Sequence, residues 1–378
     1  MKLFKKLLAL MLALSCVFAL TACQDETEEE LDTSKHGYAL EYEFEEEDDK
    51  SYVVITGLFL SDGEKYALTE EDYETIDLTI GAEGKITVPV YDEDEKPVYD
   101  ENGNLKTEEI ALGEEHEAFK IADAAFANQL IISSVVIDAS VVEVGATAFA
   151  GCANIEKMEL PFVGEKAEGN VNAKKGFAYI FGTSEAANCT SVTSNYNSTG
   201  SATYYLPNAL KEVTVKYAEG STLPEYAFNG ITTLETITVE GIVKVGKSAF
   251  AGCTGLYTVN LPAEVTEIGK SAFAGCSKLI NFAFPAELTV IFQEAFSGCS
   301  RLGYGKNTVV TLDKVVTIHE KAFYNCTTIS AIALPAVEEI GASAFYGCSS
   351  LKTVSYKAGA VVGNDAFEKC HDDLVING

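Results

Sequence analysis

Residues 245–265, VGKSAFAGCTGLYTVNLPAEV, are followed after two residues by IGKSAFAGCSKLINFAFPAEL at positions 268–288. The two stretches share most of their residues, and each carries a cysteine three residues after a phenylalanine. A phenylalanine in this setting recurs along the chain, with a spacing of 22 or 23 residues broken by two longer intervals. A period of this length is typical of solenoids, in which each repeat buries an apolar edge against the next. The repeated residues are Phe126, Phe149, Phe228, Phe250, Phe273, Phe296, Phe323, Phe345 and Phe367.

Other positions keep a fixed distance from this phenylalanine. An aliphatic residue lies five positions before it, as at Ile268, and an L-x-x-V-x-L pattern begins six positions after it, as at Leu256. The last two apolar residues of that pattern share one face of a strand, so we expect one short parallel strand per repeat. Gly246 and Gly269 come just before Ala-Phe, where we expect a tight corner with unusual φ. The Ala-Phe-x-Gly-Cys segment is interpreted as a short helical or irregular turn.

The unit A-F-x-G-C-x-x-L-x-x-V-x-L-P, preceded by I-G, resembles the BspA-like leucine-rich repeats of bacterial surface proteins. The resemblance covers the chain from about Ile121 to the C-terminus. It implies a β-rich leucine-rich-repeat solenoid, a curved right-handed stack of coils with one parallel strand per repeat and short helical turns. It also implies a secreted or surface-attached protein with a role in adhesion or protein binding, and it implies no catalysis. We assign the repeats to residues 113–378.

The N-terminal residues indicate export. MKLFKK is a positively charged region, an apolar segment follows, and Leu20-Thr21-Ala22-Cys23 resembles the lipobox of bacterial lipoproteins. We therefore predict a signal peptide over residues 1–22 and lipid attachment at Cys23, the alternative being an ordinary secretory signal with an incidental cysteine. Residues 23–37 are acidic and are interpreted as a solvated tether, although an acidic binding site is a second interpretation. The only membrane contact that we expect is this lipid.

Residues 38–112 are rich in β-formers between turn residues, and a region of this kind can cap the exposed end of a solenoid. The chain has 57 acidic and 27 basic residues, a net charge of −30, with most of the excess before Ile121. Such a charge excludes a nucleic-acid partner, because phosphates are neutralised by Lys and Arg. Residues 100–104 do not fit a calcium-binding loop, because the glycine is misplaced and the Glu expected at the twelfth position is missing. Calcium binding is therefore an alternative only because acidic residues are dense in this region.

Between residues 162 and 205 the period is broken by far more chain than one coil needs, which we call the expanded coil. Exposed loops on a rigid scaffold often carry binding residues, and this one is rich in aromatic side chains. The expanded coil is our first candidate for ligand contact, although its aromatics could instead fold inward as a small core of their own. These candidate residues are Phe177, Tyr179, Phe181, Tyr196, Tyr204 and Tyr205.

The outward positions of the repeat strands form the second candidate for ligand contact. Most of them are small and neutral, so they predict a shallow contact surface rather than a deep pocket. The residues that we assign to it are Lys157, Glu159, Thr236, Thr258, Asn260 and Asn281.

Seven cysteines keep register with the repeated phenylalanine, and only Cys189 stands outside this pattern once Cys16 and Cys23 are set aside. Equivalent side chains on stacked coils project in the same direction, which disfavours the near-perpendicular torsion of a disulfide. We therefore predict a buried ladder of free thiols. The seven are Cys152, Cys253, Cys276, Cys299, Cys326, Cys348 and Cys370.

No motif for catalysis or cofactor binding is found. His319-Glu320 begins like a zinc-protease helix, but Phe323 occupies the position of the second histidine. His371 adjoins Cys370, and sequence neighbours make poor catalytic partners. We predict no enzyme, metal or cofactor. The interpretation is a monomeric, lipid-anchored surface protein that binds an extracellular protein or glycan; alternatives are a surface enzyme, a solute-capture lipoprotein or a structural envelope protein without a ligand.

Overall fold

The computed structural model describes residues 38–47, 50–60, 75–93, 96–100, 105–113, 116–167, 176–303 and 309–378. The predicted signal peptide, Cys23, the tether and most of the tested calcium loop lie outside these ranges. Residues His36–Gly378 form one compact unit. Its strands before the first Ala-Phe turn are β1 (Tyr38–Glu47), β2 (Lys50–Leu60), β3 (Ile76–Ile80), β4 (Lys85–Pro89), β5 (Thr107–Ala111) and β6 (Ala118–Ile121).

The remaining strands belong to the coils, and most of them are short. Those up to the middle of the solenoid are β7 (Ile132–Ile137), β8 (Val141–Val144), β9 (Lys157–Leu160), β10 (Cys189–Asn195), β11 (Ser201–Pro207), β12 (Glu212–Leu223), β13 (Thr236–Val245), β14 (Thr258–Asn260) and β15 (Glu267–Ile268). Those beyond it are β16 (Asn281–Phe282), β17 (Val290–Ile291), β18 (Val310–Thr311), β19 (Thr317–Ile318), β20 (Ala331–Leu334), β21 (Glu339–Ile340), β22 (Thr353–Tyr356), β23 (Val361–Val362) and β24 (Val375–Asn377).

The coils stack through two rows of parallel strands. Row 1 carries the L-x-x-V-x-L strands, running through β3, β7, β9, the first half of β12, the first half of β13, β14 and β16. Beyond these strands, β18, β20, β22 and β24 form a separate parallel sheet in the same repeat position. The sequence pattern therefore predicted row 1 and the solenoid correctly.

Row 2 is a second strand in each coil that the sequence pattern did not predict. It ends at the aliphatic residue five positions before the repeated phenylalanine and runs through the end of β13, then β15, β17, β19, β21 and β23. Most of these strands have two residues, too few for an alternating pattern to show in the sequence. Each of these coils is therefore joined to its neighbours by parallel strand pairing on two sides.

The region before the repeats joins both rows. β1 and β2 form an antiparallel hairpin, β2 pairs in parallel with β6, which with β8 forms a separate sheet at the row 2 position, and β3 pairs in parallel with β7 in row 1. The buried ammonium of Lys120 in β6 lies 3.1 Å from a Glu45 carboxylate oxygen and 2.8 Å from one of Glu47, both on β1. The first repeat strands are thus tied to the preceding chain by backbone pairing and by charge.

The Ala-Phe segments are tight turns rather than short helices. The residue two positions before each phenylalanine has positive φ, as Ser248 (52°), Ser271 (53°) and Ser343 (55°) show, and this breaks any helical run. In the described ranges the only helical segments are 3₁₀ turns at Ala82–Gly84 and Phe177–Phe181. The turn therefore depends on residues whose backbone is in the left-handed conformation, and the sequence pattern had predicted unusual φ at other positions.

Gly246 and Gly269 do not have the unusual φ that we expected. Positive φ falls instead on the glycine two residues after the phenylalanine, such as Gly275 at 76°. A Cβ at Gly269 would lie 2.6 Å from the carbonyl oxygen of Val245 on the preceding coil. Glycine is needed here because neighbouring coils approach too closely for any side chain.

The core is a column of stacked phenylalanines. From Phe228 to Phe367 the ring centroids of successive coils are 4.8–5.5 Å apart, with interplanar angles of 2–9°. The rings from Phe228 to Phe345 are fully buried. Stacking and burial together make this column the main apolar contribution of each repeat.

The cysteine ladder lies beside this column. Each of the seven repeat thiols donates to the carbonyl oxygen of the phenylalanine one coil earlier, over 2.9–3.2 Å. Cys276, for example, donates to Phe250. All cysteines in the described ranges are free thiols, as the parallel orientation predicted. The sequence did not indicate the sulfur–carbonyl bonds, which give the repeated cysteine a role beyond filling space.

Candidate functional site

The outward residues of row 1 form two polar columns. Parallel pairing aligns Lys157, Thr236, Thr258 and Asn281 in the first. It aligns Glu159, Thr238 and Asn260 in the second.

Side chains within these columns bond across coils. The Asn260 amide donates to Thr238 Oγ1 over 3.0 Å, and the Asn281 amide donates to Thr258 Oγ1 over 3.3 Å. Glu159 is ion-paired with Lys216 at 2.6 Å. The structure thus brings these predicted residues together on one shallow face.

Three of the aromatic residues predicted for ligand contact are buried, which corrects that expectation. Phe177 and Phe181 are each 1% exposed and Tyr204 is 7% exposed. The Phe177 ring lies 5.2 Å from that of Phe228 and 5.4 Å from that of Phe181. The inward alternative holds for them, because a coil whose Ala-Phe turn is replaced still needs aromatic volume to continue the core.

The backbone of the same segment continues the bonding between turns. In a regular coil the phenylalanine N–H donates to the alanine carbonyl of the next coil, as Phe250 does to Ala272. In the expanded coil, Phe149 N–H donates to Ile180 O, and Phe177 N–H donates to Ala227 O. Residues 177–181 therefore replace the turn of a repeat in both packing and hydrogen bonding.

The remaining aromatic candidates are half-buried. Tyr179 packs against the core, and burial, with nearby Glu165, raises its pKa to about 12. Tyr196 lies at the tip of the β10–β11 hairpin, where its N–H donates to Gly200 O. Tyr205 is in β11, and its N–H donates to Gly182 O. These three side chains keep some exposed surface but do not line a common pocket.

A groove lies where the β10–β11 hairpin of the expanded coil meets the start of the row 1 strands. Its volume is about 470 Å³, within the range of ligand sites in proteins. The residues lining it, which we call the hairpin groove, are Thr190, Lys211, Thr232, Thr233, Glu235, Gly255, Tyr257 and Lys278. The expanded coil thus contributes to a candidate site through its hairpin and not through the aromatic residues that we predicted.

Tyr257 is the exposed aromatic side chain of the hairpin groove, and sequence reading missed it. It lies one residue before β14, outside the strand positions that we assigned outward, and it is 42% exposed. The corresponding residue is Glu235 in the coil before and Ile280 in the coil after, so this position has no fixed character in the repeat and gave no signal in the sequence.

The charged side chains of the hairpin groove make only long or exposed contacts with the rest of the protein. The Lys211 ammonium donates to Thr233 O over 3.4 Å and lies 3.7 Å from a Glu235 carboxylate oxygen. Both members of this ion pair are well exposed, so it contributes little to stability. Lys278 is exposed and has no ion pair within the described ranges. The groove therefore holds two ammonium groups against one carboxylate, on a strongly acidic protein.

The buried thiols are unsuited to nucleophilic chemistry. Burial raises the pKa of Cys152 to about 12, and it raises that of Cys276 well above the ordinary value. A thiol whose pKa is raised stays protonated and unreactive. Across the described residues, no group of three or more His, Cys, Asp or Glu side chains could hold a metal ion.

The architecture defines a leucine-rich-repeat protein, and comparison with known proteins gives the family. The model for the BspA type leucine rich repeat region matches residues 119–240, 221–308 and 244–374, in six copies. The chain therefore belongs to the BspA-type leucine-rich repeat family. A comparison with curated proteins finds no match.

Several solved bacterial structures are similar to this chain. The leucine-rich repeat protein of T. pallidum is 27% identical, over 45% of this chain and 80% of that one, with a TM-score of 0.38. A leucine-rich repeat protein from Bacteroides ovatus is 20% identical, over 89% and 80%, with a TM-score of 0.40. A leucine rich cell surface protein from Faecalibacterium prausnitzii is 17% identical, over 89% and 96%, with a TM-score of 0.30.

Proposed function

We propose that this protein is a cell-surface binding scaffold whose hairpin groove contacts an extracellular protein or glycan. The observation that carries the proposal is the groove itself, in which an exposed tyrosine and exposed charged side chains meet at the point where the repeat is interrupted. Rigid scaffolds commonly present binding residues on such interrupting loops. Tyrosine suits this role because its ring offers a large contact area at a small cost in conformational entropy.

The surface location is part of the same proposal. It is supported by the leucine-rich-repeat family and by the L-T-A-C sequence at Cys23, which would be lipidated after cleavage. Among the described residues, no helix is long and apolar enough to span a membrane. We propose that the mature protein acts as a monomer, held outside the membrane by its lipid and spaced from it by the acidic tether.

The binding proposal is tested with residues 24–378 and immobilised mucin, matrix proteins and glycans. Tyr257→Ala should reduce binding to the preferred polymer at least about tenfold if the ring is a central contact. Tyr91→Ala is the matched control, because Tyr91 is 43% exposed in the N-terminal region. Unchanged binding by Tyr257→Ala would contradict the groove as the contact site, and absence of binding to every polymer would contradict the proposed function.

A second variant tests the hairpin without damaging the core. Shortening residues 164–203 would remove Phe177 and Phe181, so loss of binding there could reflect unfolding. Replacing only residues 196–200 with a two-residue Asn-Gly turn changes the hairpin tip and leaves the buried rings in place. We expect this variant to fold. Its affinity for the preferred polymer should change, because a large ligand in the groove would also contact the hairpin.

The anchor is tested in cells. Cys23→Ser should abolish incorporation of labelled palmitate and release the protein from the membrane fraction. Retention of the label in this variant would contradict lipid attachment at Cys23.

A further inference from the structure

The hairpin groove also indicates the class of ligand, an inference that rests on the proposed function. We propose that it binds an acidic saccharide, with Tyr257 packed against a sugar ring and the ammonium group of Lys278, on the next coil, paired with a carboxylate or sulfate of that saccharide. The shared chemistry is a hydroxylated ring that carries an anion.

Tyr257 is fixed well enough to act as a platform for a sugar ring. Its N–H donates to Glu235 O over 2.8 Å, and its carbonyl accepts from the N–H groups of Ile280 and Asn281 over 3.1 and 3.0 Å. The ring itself has no aromatic or cationic partner within the described residues, unlike Tyr226 and Tyr346, which lie under lysines. An anchored backbone and an open ring leave an aromatic face available to the apolar C–H side of a saccharide.

The rest of the groove favours a polar, hydroxylated ligand over a peptide. Apart from Tyr257 it has no large apolar side chain, since the other uncharged residues are Thr190, Thr232, Thr233 and Gly255. Peptide docking usually depends on pockets that bury apolar side chains or on an open sheet edge. Hydroxyl and ammonium groups around one aromatic ring suit a ligand whose surface consists mostly of hydroxyl groups.

The charge balance selects an acidic saccharide. Elsewhere on this protein lysines are commonly paired with carboxylates, as Lys244 is with Glu267 at 2.7 Å. In the groove Lys278 is unpaired among the described residues, whereas Lys211 donates to Thr233 O and forms a long, exposed pair with Glu235. An anion beside Lys278 gains attraction at short range, whereas the net negative charge of the whole protein is screened beyond about 8 Å at physiological salt.

The test uses residues 24–378 and matched oligosaccharides in isothermal titration calorimetry. The pairs are sialyllactose with lactose, and sulfated N-acetyllactosamine with unsulfated N-acetyllactosamine. We expect one acidic member to bind at least about fivefold more tightly than its neutral partner, and this preference should shrink as salt is raised from 50 to 300 mM, by the screening of exposed charges. Whichever pair shows the preference distinguishes carboxylate from sulfate.

Variants separate the two parts of the site. Lys278→Gln should lower the affinity for the acidic member of the pair to about that of its neutral partner, and Lys270→Gln, at an exposed position outside the groove, should have no effect. Tyr257→Ala should weaken both acidic and neutral ligands, and Tyr257→Phe should restore binding because the ring is retained. Circular dichroism and thermal midpoints identify any variant that fails to fold.

Each outcome bears on a different proposal. Equal binding of acidic and neutral saccharides, or an unaffected Lys278→Gln, overturns the acidic preference. Failure of all four saccharides, together with Tyr257-dependent binding of a protein, overturns the saccharide inference and leaves the proposed function standing. If no polymer binds in a Tyr257-dependent way, the groove is not a binding site and both proposals fail.

Discussion

At the scale of single residues, the repeated cysteine shows what sequence register can and cannot indicate. The fixed position and common direction of the side chains were sufficient to predict free thiols in a buried ladder. The bond from each thiol to a phenylalanine carbonyl could not be predicted, because it joins residues 25 to 30 positions apart on successive coils. Position in the repeat gives the neighbours of a residue but not the atoms that meet.

Thiol accessibility follows from this arrangement. In residues 24–378 we expect Cys189 and Cys370, which are half-buried, to react first with a thiol reagent under native conditions. The six buried cysteines should react only on unfolding. Titration of the denatured, unreduced protein should give about eight thiols, and two or fewer would show that the ladder is oxidised.

The buried thiols also predict a loss of stability at alkaline pH. Burial raises the folded-state pKa of Cys276, so its contribution to stability is fully present below the unfolded pKa of about 8.5 and is lost as pH rises above it. Each such thiol should lower the free energy of unfolding by about 1.4 kcal/mol per pH unit. Cys276→Ala should flatten the dependence by that amount between pH 9 and 10.5, measured by denaturant unfolding. An unchanged slope would contradict burial of this thiol.

At the scale of elements, glycine has two separate roles in the Ala-Phe turn. The glycine after the phenylalanine adopts positive φ, whereas Gly269 before it allows close contact between coils. We assigned the unusual φ to the wrong glycine, because a sequence shows where glycine occurs but not which of its properties is used. Row 2 was missed for a related reason, since its strands are too short to give an alternating pattern.

Gly269→Ala should therefore be strongly destabilising. The added Cβ would meet backbone atoms of the preceding coil at 2.6 Å and 2.9 Å, and these atoms cannot move independently of their own hydrogen bonds. We expect a loss of about 1–3 kcal/mol or more in the free energy of unfolding. Gly113→Ala is the control, because nothing lies within 4 Å of its added Cβ and it should change stability by less than about 0.5 kcal/mol. Equal effects would rule out the close approach as the reason for glycine.

At the scale of the whole molecule, the period predicted the solenoid, and its interruption located one wall of the candidate site. The groove itself was beyond sequence reasoning, because stacking brings together Thr190, Tyr257 and Lys278 from different coils. The aromatic residues of the expanded coil were misassigned because composition cannot distinguish a ring that binds a ligand from one that completes a core. Their burial follows from the need to continue the column between Phe149 and Phe228.

The stacked architecture predicts graded stability along the axis. β23 pairs with β21 and β24 pairs with β22, and their side chains include Val361 at 67% and Val375 at 54% exposure. Interior strands such as β15 are paired on both sides. Hydrogen exchange should therefore be faster across residues 353–378 than across 258–291, because local opening begins where fewest contacts hold a coil. Uniform protection would indicate a single cooperative unit instead.

Residues 177–181 complete the core of the expanded coil, and the β10–β11 hairpin adds buried Val192, Tyr204 and Leu206, so only the hairpin tip at residues 196–200 lies outside the core. The turn between β10 and β11 is thus a segment that can be exchanged while the coils that carry it stay the same. New sequences grafted between Asn195 and Ser201 should alter what is recognised while the coils on either side continue to stack. A repeat protein can in this way diversify its specificity without redesigning its scaffold.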